Sequence, residues 1–114
     1  MEKTITVDGK QIRLKCTGAT PMRFNAQFGK DYFAEVLKVA VIGKEGFASM
    51  DLSLLANLET ESLYNIIYIF AKTANPDIPD KLSWLDSFDE FPVFDIFIEI
   101  QDMIMATMQS KKKM

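Results

Sequence analysis

The sequence predicts an α+β fold, mainly α, in which an N-terminal β-hairpin packs on a bundle of about five helices. Three observations carry that expectation. Asp8-Gly9 lies between two runs in which apolar and polar residues alternate, the pattern of a tight hairpin. Beyond residue 20 the apolar residues recur at helical spacing instead. Proline and glycine fall at the ends of those runs, where they start or stop helices.

The turn at Asp8-Gly9 sets the hairpin register. A type I′ turn needs positive φ at both central residues, which Asp and Gly tolerate. Val7 then faces Lys10, Ile5 faces Ile12 and Lys3 faces Leu14. Alternation puts Ile5, Val7, Ile12, Leu14 and Cys16 on one face, and Thr4, Thr6, Gln11, Arg13 and Lys15 on the other. A lone hairpin is marginal, so the apolar face must pack on the rest of the chain.

Thr20-Pro21 reads as an N-cap followed by proline, opening a helix with Met22, Phe24 and Phe28 that Gly29 ends. Asp31 caps a second helix bearing Tyr32, Phe33, Val36, Leu37, Val39 and Ala40 and ending at Gly43. Lys44 to Ser49 reads as a loop, and Asp51 opens a short turn with Leu52, Leu54 and Leu55. Thr60 caps a longer helix through about Ala74, with Leu63, Ile66, Ile67 and Phe70 at helical spacing. Asn75-Pro76 stops it, and Pro79-Asp80 starts a short helix containing Leu82, Trp84 and Leu85. Pro92 heads the last helix, expected to reach about Gln109. Residues 1–110 therefore read as a single domain, hairpin 1–17 and helices 20–110, followed by a disordered basic tail, 111–114.

Composition excludes much chemistry. The 114 residues are 48% apolar and 25% charged, the balance of a folded domain. A net charge of -3 and a pI of 4.9 argue against nucleic acid as a partner. The chain has no histidine, which removes the usual imidazole base, the ordinary catalytic triad and most zinc sites. Cys16 stands alone and cannot form an internal disulfide; on the apolar face of a strand it reads as a small buried hydrophobe. Gly43-Lys44-Glu45-Gly46 lacks the spacing of a phosphate-binding loop. Asp86, Asp89 and Glu90 lack the alternation and central glycine of a calcium loop. No apolar stretch approaches the ~20 residues that span a bilayer, and no targeting segment is legible. The expectation is a cytoplasmic protein without cofactor or metal, and not an enzyme; only a buried carboxylate pair in a pocket would revive catalysis.

What remains is surface. In the last helix Val93, Phe97, Ile100 and Ile104 form one apolar stripe, and Phe94, Ile98 and Met105 a second. Two stripes mean either burial between elements or a face reserved for another chain. Phe94, Ile98, Met105 and Met108 are the candidate partner-contact residues, with the acidic stripe Asp95, Glu99 and Asp102 beside them. Charge is segregated as well: residues 1–50 sum to +3 and residues 51–110 to -9. Such a bipolar chain can dock head to tail on its own copies, through contacts that salt screens.

The run Thr4-Ile5-Thr6-Val7-Asp8-Gly9-Lys10, then Thr17-Gly18-Ala19-Thr20-Pro21-Met22-Arg23-Phe24 and Gln27-Phe28-Gly29-Lys30-Asp31, is followed by Ala71-Lys72-Thr73-Ala74-Asn75-Pro76, Ile78-Pro79-Asp80 and Trp84-Leu85-Asp86-Ser87-Phe88. In this order, over nearly the whole chain, the sequence resembles the tail assembly chaperones of long-tailed (siphovirus) phages and prophages of Gram-positive hosts. The resemblance implies a protein of the host cytoplasm that coats the tape measure protein during tail morphogenesis, self-associates along it, and is absent from the mature virion. It also implies a longer form, made by ribosomal frameshifting, whose extra domain recruits the tail tube protein. The run Lys111-Lys112-Lys113 fits an A-rich slippery site and a solubilising tail equally well. Within this reading Pro21, Gly29, Pro76, Pro79 and Pro92 are architectural. The alternative is a structural component of the virion, a head–tail connector or tail terminator protein.

Overall fold

The computed structural model describes residues 1–39 and 60–108. The expected end of the second helix at Gly43, the Lys44–Ser49 loop, the Asp51 turn, the helix end at Gln109 and the basic tail lie outside the described residues.

Strands β1 (Glu2–Val7) and β2 (Lys10–Lys15) form an antiparallel pair in the expected register, Val7 opposite Lys10, Ile5 opposite Ile12 and Lys3 opposite Leu14. Asp8 and Gly9 take φ of 54° and 75°, the left-handed pair that a type I′ turn requires. Ile5, Val7, Leu14 and Cys16 are buried and Ile12 is half-buried.

Six helices follow among the described residues: α1 (Thr20–Phe28), α2 (Tyr32–Val39), α3 (Thr60–Ala74), α4 (Lys81–Asp86), α5 (Val93–Glu99) and α6 (Gln101–Met108). The fold is thus α+β and mainly α. Its axis is α3, which buries Leu63, Ile66, Ile67 and Phe70 together with Ser62, Asn65, Tyr68, Ile69 and Ala71. Strand β2 and helices α1, α2 and α5 all pack on it.

Local chemistry explains most boundaries. Gly29 ends α1 at φ 67°, with its N–H donating to the Asn25 carbonyl. Asp31 caps α2, its carboxylate accepting from the Ala34 N–H at 3.0 Å. Asp80 caps α4 by accepting from the Ser83 N–H. Thr60, expected to cap α3, is instead its first helical residue. Thr20 departs from its expected role as N-cap of α1. The position before the helix is Ala19, which makes no side-chain cap bond. Thr20 is instead the first helical residue, and its buried hydroxyl accepts from the Thr17 N–H at 2.8 Å. The hydroxyl serves a donor of the β2–α1 connection, and from inside the helix Thr20 does not hold the N-cap position.

The single last helix is a further correction. It is two helices, because Ile100 leaves helical geometry at φ -101° and ψ 15°. Lys3 Nζ donates to the Glu99 carbonyl at 2.9 Å, and the Met103 N–H donates to the Ile100 carbonyl and the Asp102 carboxylate. A side chain inserted into the helical ladder is a recognised cause of such a break.

The hairpin sits on the helices through both ends of its inner face. Lys3 and Lys10 share that face with Ile5 and Val7, because each lies opposite an apolar partner. Lys3 reaches Glu99 and Asp102. Lys10 reaches the Ser87 carbonyl and lies 5.1 Å from the Phe88 ring centroid. At the turn, Asp8 Oδ2 accepts from the Asp89 N–H at 2.9 Å.

Candidate partner-binding surface

The start of helix α2 meets the end of α6. The Tyr32 hydroxyl and Thr107 Oγ1, 2.8 Å apart, tie them together there. Burial pushes the Tyr32 phenol up to about 12, so it stays protonated at any ordinary pH. Further along the pair an apolar groove of about 230 Å³ opens between them. Val36, Phe97 and Ile104 form its buried floor, Leu37, Met105 and Met108 its rim, and Gln101 its one polar wall. Leu37 is 65% exposed and Met105 51%, a large apolar area to leave in water.

The sequence explains why the groove exists. In α2 the residues Tyr32, Phe33, Val36, Leu37 and Val39 are too many for one face. Tyr32, Val36 and Val39 take the core, and Phe33 and Leu37, one turn apart, remain outside. In α6, Met103 and Ile104 take the core and Met105 remains outside. Two half-committed helices placed together therefore share an uncovered seam.

Of the expected contact residues, Met105 and Met108 belong to this groove. Phe94 and Ile98 are half-buried on α5, and Phe94 packs against the core. The stripe Val93, Phe97, Ile100 and Ile104 is entirely core. Asp95 and Glu99 are exposed. Asp102 is taken up by the hairpin: the Lys3 hydrogen bond holds its carboxyl below the usual carboxylate range. Sequence reasoning missed Leu37, although the excess of apolar residues on α2 was its signal.

Three other ionisable groups, Glu35, Glu61 and Cys16, have their titration shifted by their surroundings. Glu35 is buried, and burial pushes its carboxyl up. The Ser62 hydroxyl at 2.5 Å and the Lys38 ammonium at 2.9 Å outweigh that and bring it below its ordinary value. Glu61 is lowered by Lys30 and Lys81, each 3.5 Å away. Cys16 is buried, its sulfur 3.8 Å from the Met103 carbonyl, and burial raises its thiol. Among the described residues no group of three or more His, Cys, Asp or Glu side chains could hold a metal ion. None of their helices is long and apolar enough to cross a membrane. What the arrangement offers chemically is adaptable apolar contact, since unbranched methionines reshape to fit what meets them. No protein-family model matches this chain, and neither a curated protein nor a solved structure matches it.

Proposed function

We propose that the chain is a phage tail assembly chaperone, which binds the tape measure protein in the host cytoplasm and keeps it soluble until the tail tube encloses it. The observation that carries this reading is the apolar groove between α2 and α6, with exposed Leu37 and Met105 on its rim. A long helical client exposes apolar stripes before it is enclosed, and a methionine-rimmed groove on a folded domain can cover such a stripe without demanding one sequence. The motif order given above supports the client's identity. In this reading the chain catalyses nothing, repeats along the client by contact with its own copies, and is absent from the finished particle. The frameshifted longer form would add the contact to the tail tube protein.

Co-expression with the tape measure protein of the same phage tests the proposal. Wild-type chain should yield soluble client in a large complex with many copies per client, read by size-exclusion light scattering. The double variant Leu37→Ser/Met105→Ser should keep its circular dichroism and melt cooperatively. It should also lower soluble client by about tenfold, the effect of losing roughly 1.4 kcal/mol of contact energy. A client that stays insoluble beside a discrete small ring of this chain, or the chain itself in purified virions, overturns the reading in favour of a structural virion component.

A further inference from the structure

We propose that the break at Ile100 is a latched joint: Lys3 of the hairpin holds α5 and α6 as two helices, and withdrawing its ammonium lets them join into one. The sequence around the break supplies no cause of its own. Residues 93–108 contain neither proline nor glycine, and apolar residues continue through them at helical spacing. What differs is the use of the backbone acceptors across the break: the Phe97 carbonyl takes Gln101 Nε2 at 3.4 Å, the Ile98 carbonyl takes the Ile100 N–H, and the Glu99 carbonyl takes a group from another element. In an unbroken helix the Glu99 carbonyl takes the Met103 N–H. Here it takes Lys3 Nζ at 2.9 Å, and the Met103 N–H turns to the Ile100 carbonyl at 3.0 Å and to Asp102 Oδ1 at 2.8 Å. The same ammonium lies 2.9 Å from Asp102 Oδ1, so a single cation holds both the diverted carbonyl and the carboxylate that receives the diverted N–H.

On either side the ladder is intact. The Ile100 N–H donates to the Ile96 carbonyl at 3.0 Å, and the Ile104 N–H donates to the Ile100 carbonyl at 3.2 Å. Each flanking helix therefore keeps its own bonds on rejoining, and the acceptors to be returned to the ladder are the carbonyls of Phe97, Ile98 and Glu99. The latch is placed by the hairpin register, which sets Lys3 on the inner face opposite Leu14. It is also releasable, because the Asp102 side chain is 49% exposed and such pairs are among the weaker ones.

Joining would change what the segment presents. At present Phe94 and Ile98 belong to one helix, and Met105 and Met108 to the next. In one helix Phe94, Ile98, Gln101, Met105 and Met108 follow alternating steps of four and three residues, the spacing of a seam that meets another helix. The joint does not rest on the chaperone reading; only the use of that seam does.

Backbone NMR on the full chain reads the joint directly. Lys3→Met should move the Ile100 Cα resonance downfield into the helical range and give helical amide–amide contacts from Glu99 to Met103. Lys3→Gln, shorter and uncharged, should do the same, and Lys3→Arg should restore the wild-type pattern. If Ile100 keeps its non-helical shift in both neutral variants while the strand resonances stay in place, the proposal is overturned: packing of Phe97, Ile100 and Met103 then makes the break. Loss of folding in both neutral variants overturns it too, since opening a latch leaves the core standing. Neither result alters the client-solubility measurement, so the two readings fail separately.

Discussion

Glu35 is a buried carboxylate that stays charged because its two oxygens have separate partners, Ser62 on α3 and Lys38 on its own helix. Its folded pKa lies below the ordinary 4.5. The stabilisation it gives is therefore complete above that value and is lost as pH falls through the folded pKa. Glu35→Gln should cost about 1–3 kcal/mol at pH 7 by urea unfolding, the penalty of breaking a buried, charge-assisted hydrogen bond. It should also flatten the loss of stability that the wild type shows below about pH 4.5. With no histidine in the chain, the side chains that titrate near neutrality are few, and stability should be level between about pH 6 and 8. At this scale the sequence was least legible. Ser62, Asn65 and Glu35 are buried polar residues, and a helical pattern gives no warning that such positions will find partners on other elements.

The elements were legible wherever their cause is local. Asp8-Gly9 sets a register that needs no knowledge of the rest of the chain, and the observed pairing follows it. Gly29 is the same kind of case: at φ 67° a side chain is strained even though a Cβ there would meet nothing within 4 Å. Gly29→Ala should thus cost about 1 kcal/mol through backbone strain alone, measured by thermal melting. The break at Ile100 is the opposite case. Its cause is a lysine 96 positions before Glu99, which no window over residues 93–109 contains. The groove was half legible for a related reason. Met105 and Met108 stand out by composition, but the neighbour that completes their surface is Leu37, on a helix far away in sequence.

For the described residues as a whole, the organising fact is that α3 is buried along most of its length and that β2, α1, α2 and α5 pack on it. Phe70→Ala removes a fully buried ring from this axis and should cost about 3–5 kcal/mol in chemical unfolding. Leu37→Ala, at 65% exposure, should cost under about 0.5 kcal/mol. Equal costs would place the groove in the core. Charge segregation also changes meaning at this scale. Some of the basic first half is matched within the molecule, Lys3 to Asp102 and Lys30 to Glu61, while Asp95 and Glu99 stay exposed.

Trp84 is the chain's one tryptophan, and it sits where three parts of the fold meet. Tyr68 of α3 lies 5.6 Å from its ring, Phe88 5.3 Å and Phe91 5.7 Å, centroid to centroid, with Lys10 of the hairpin over the Phe88 ring. The molecule thus carries its own optical reporter. Its emission should start blue-shifted and redden when the hairpin lifts or α4 detaches, while events at the α2–α6 groove leave its colour unchanged. One fluorophore, with no label added, can separate the loss of the scaffold from the occupation of its surface.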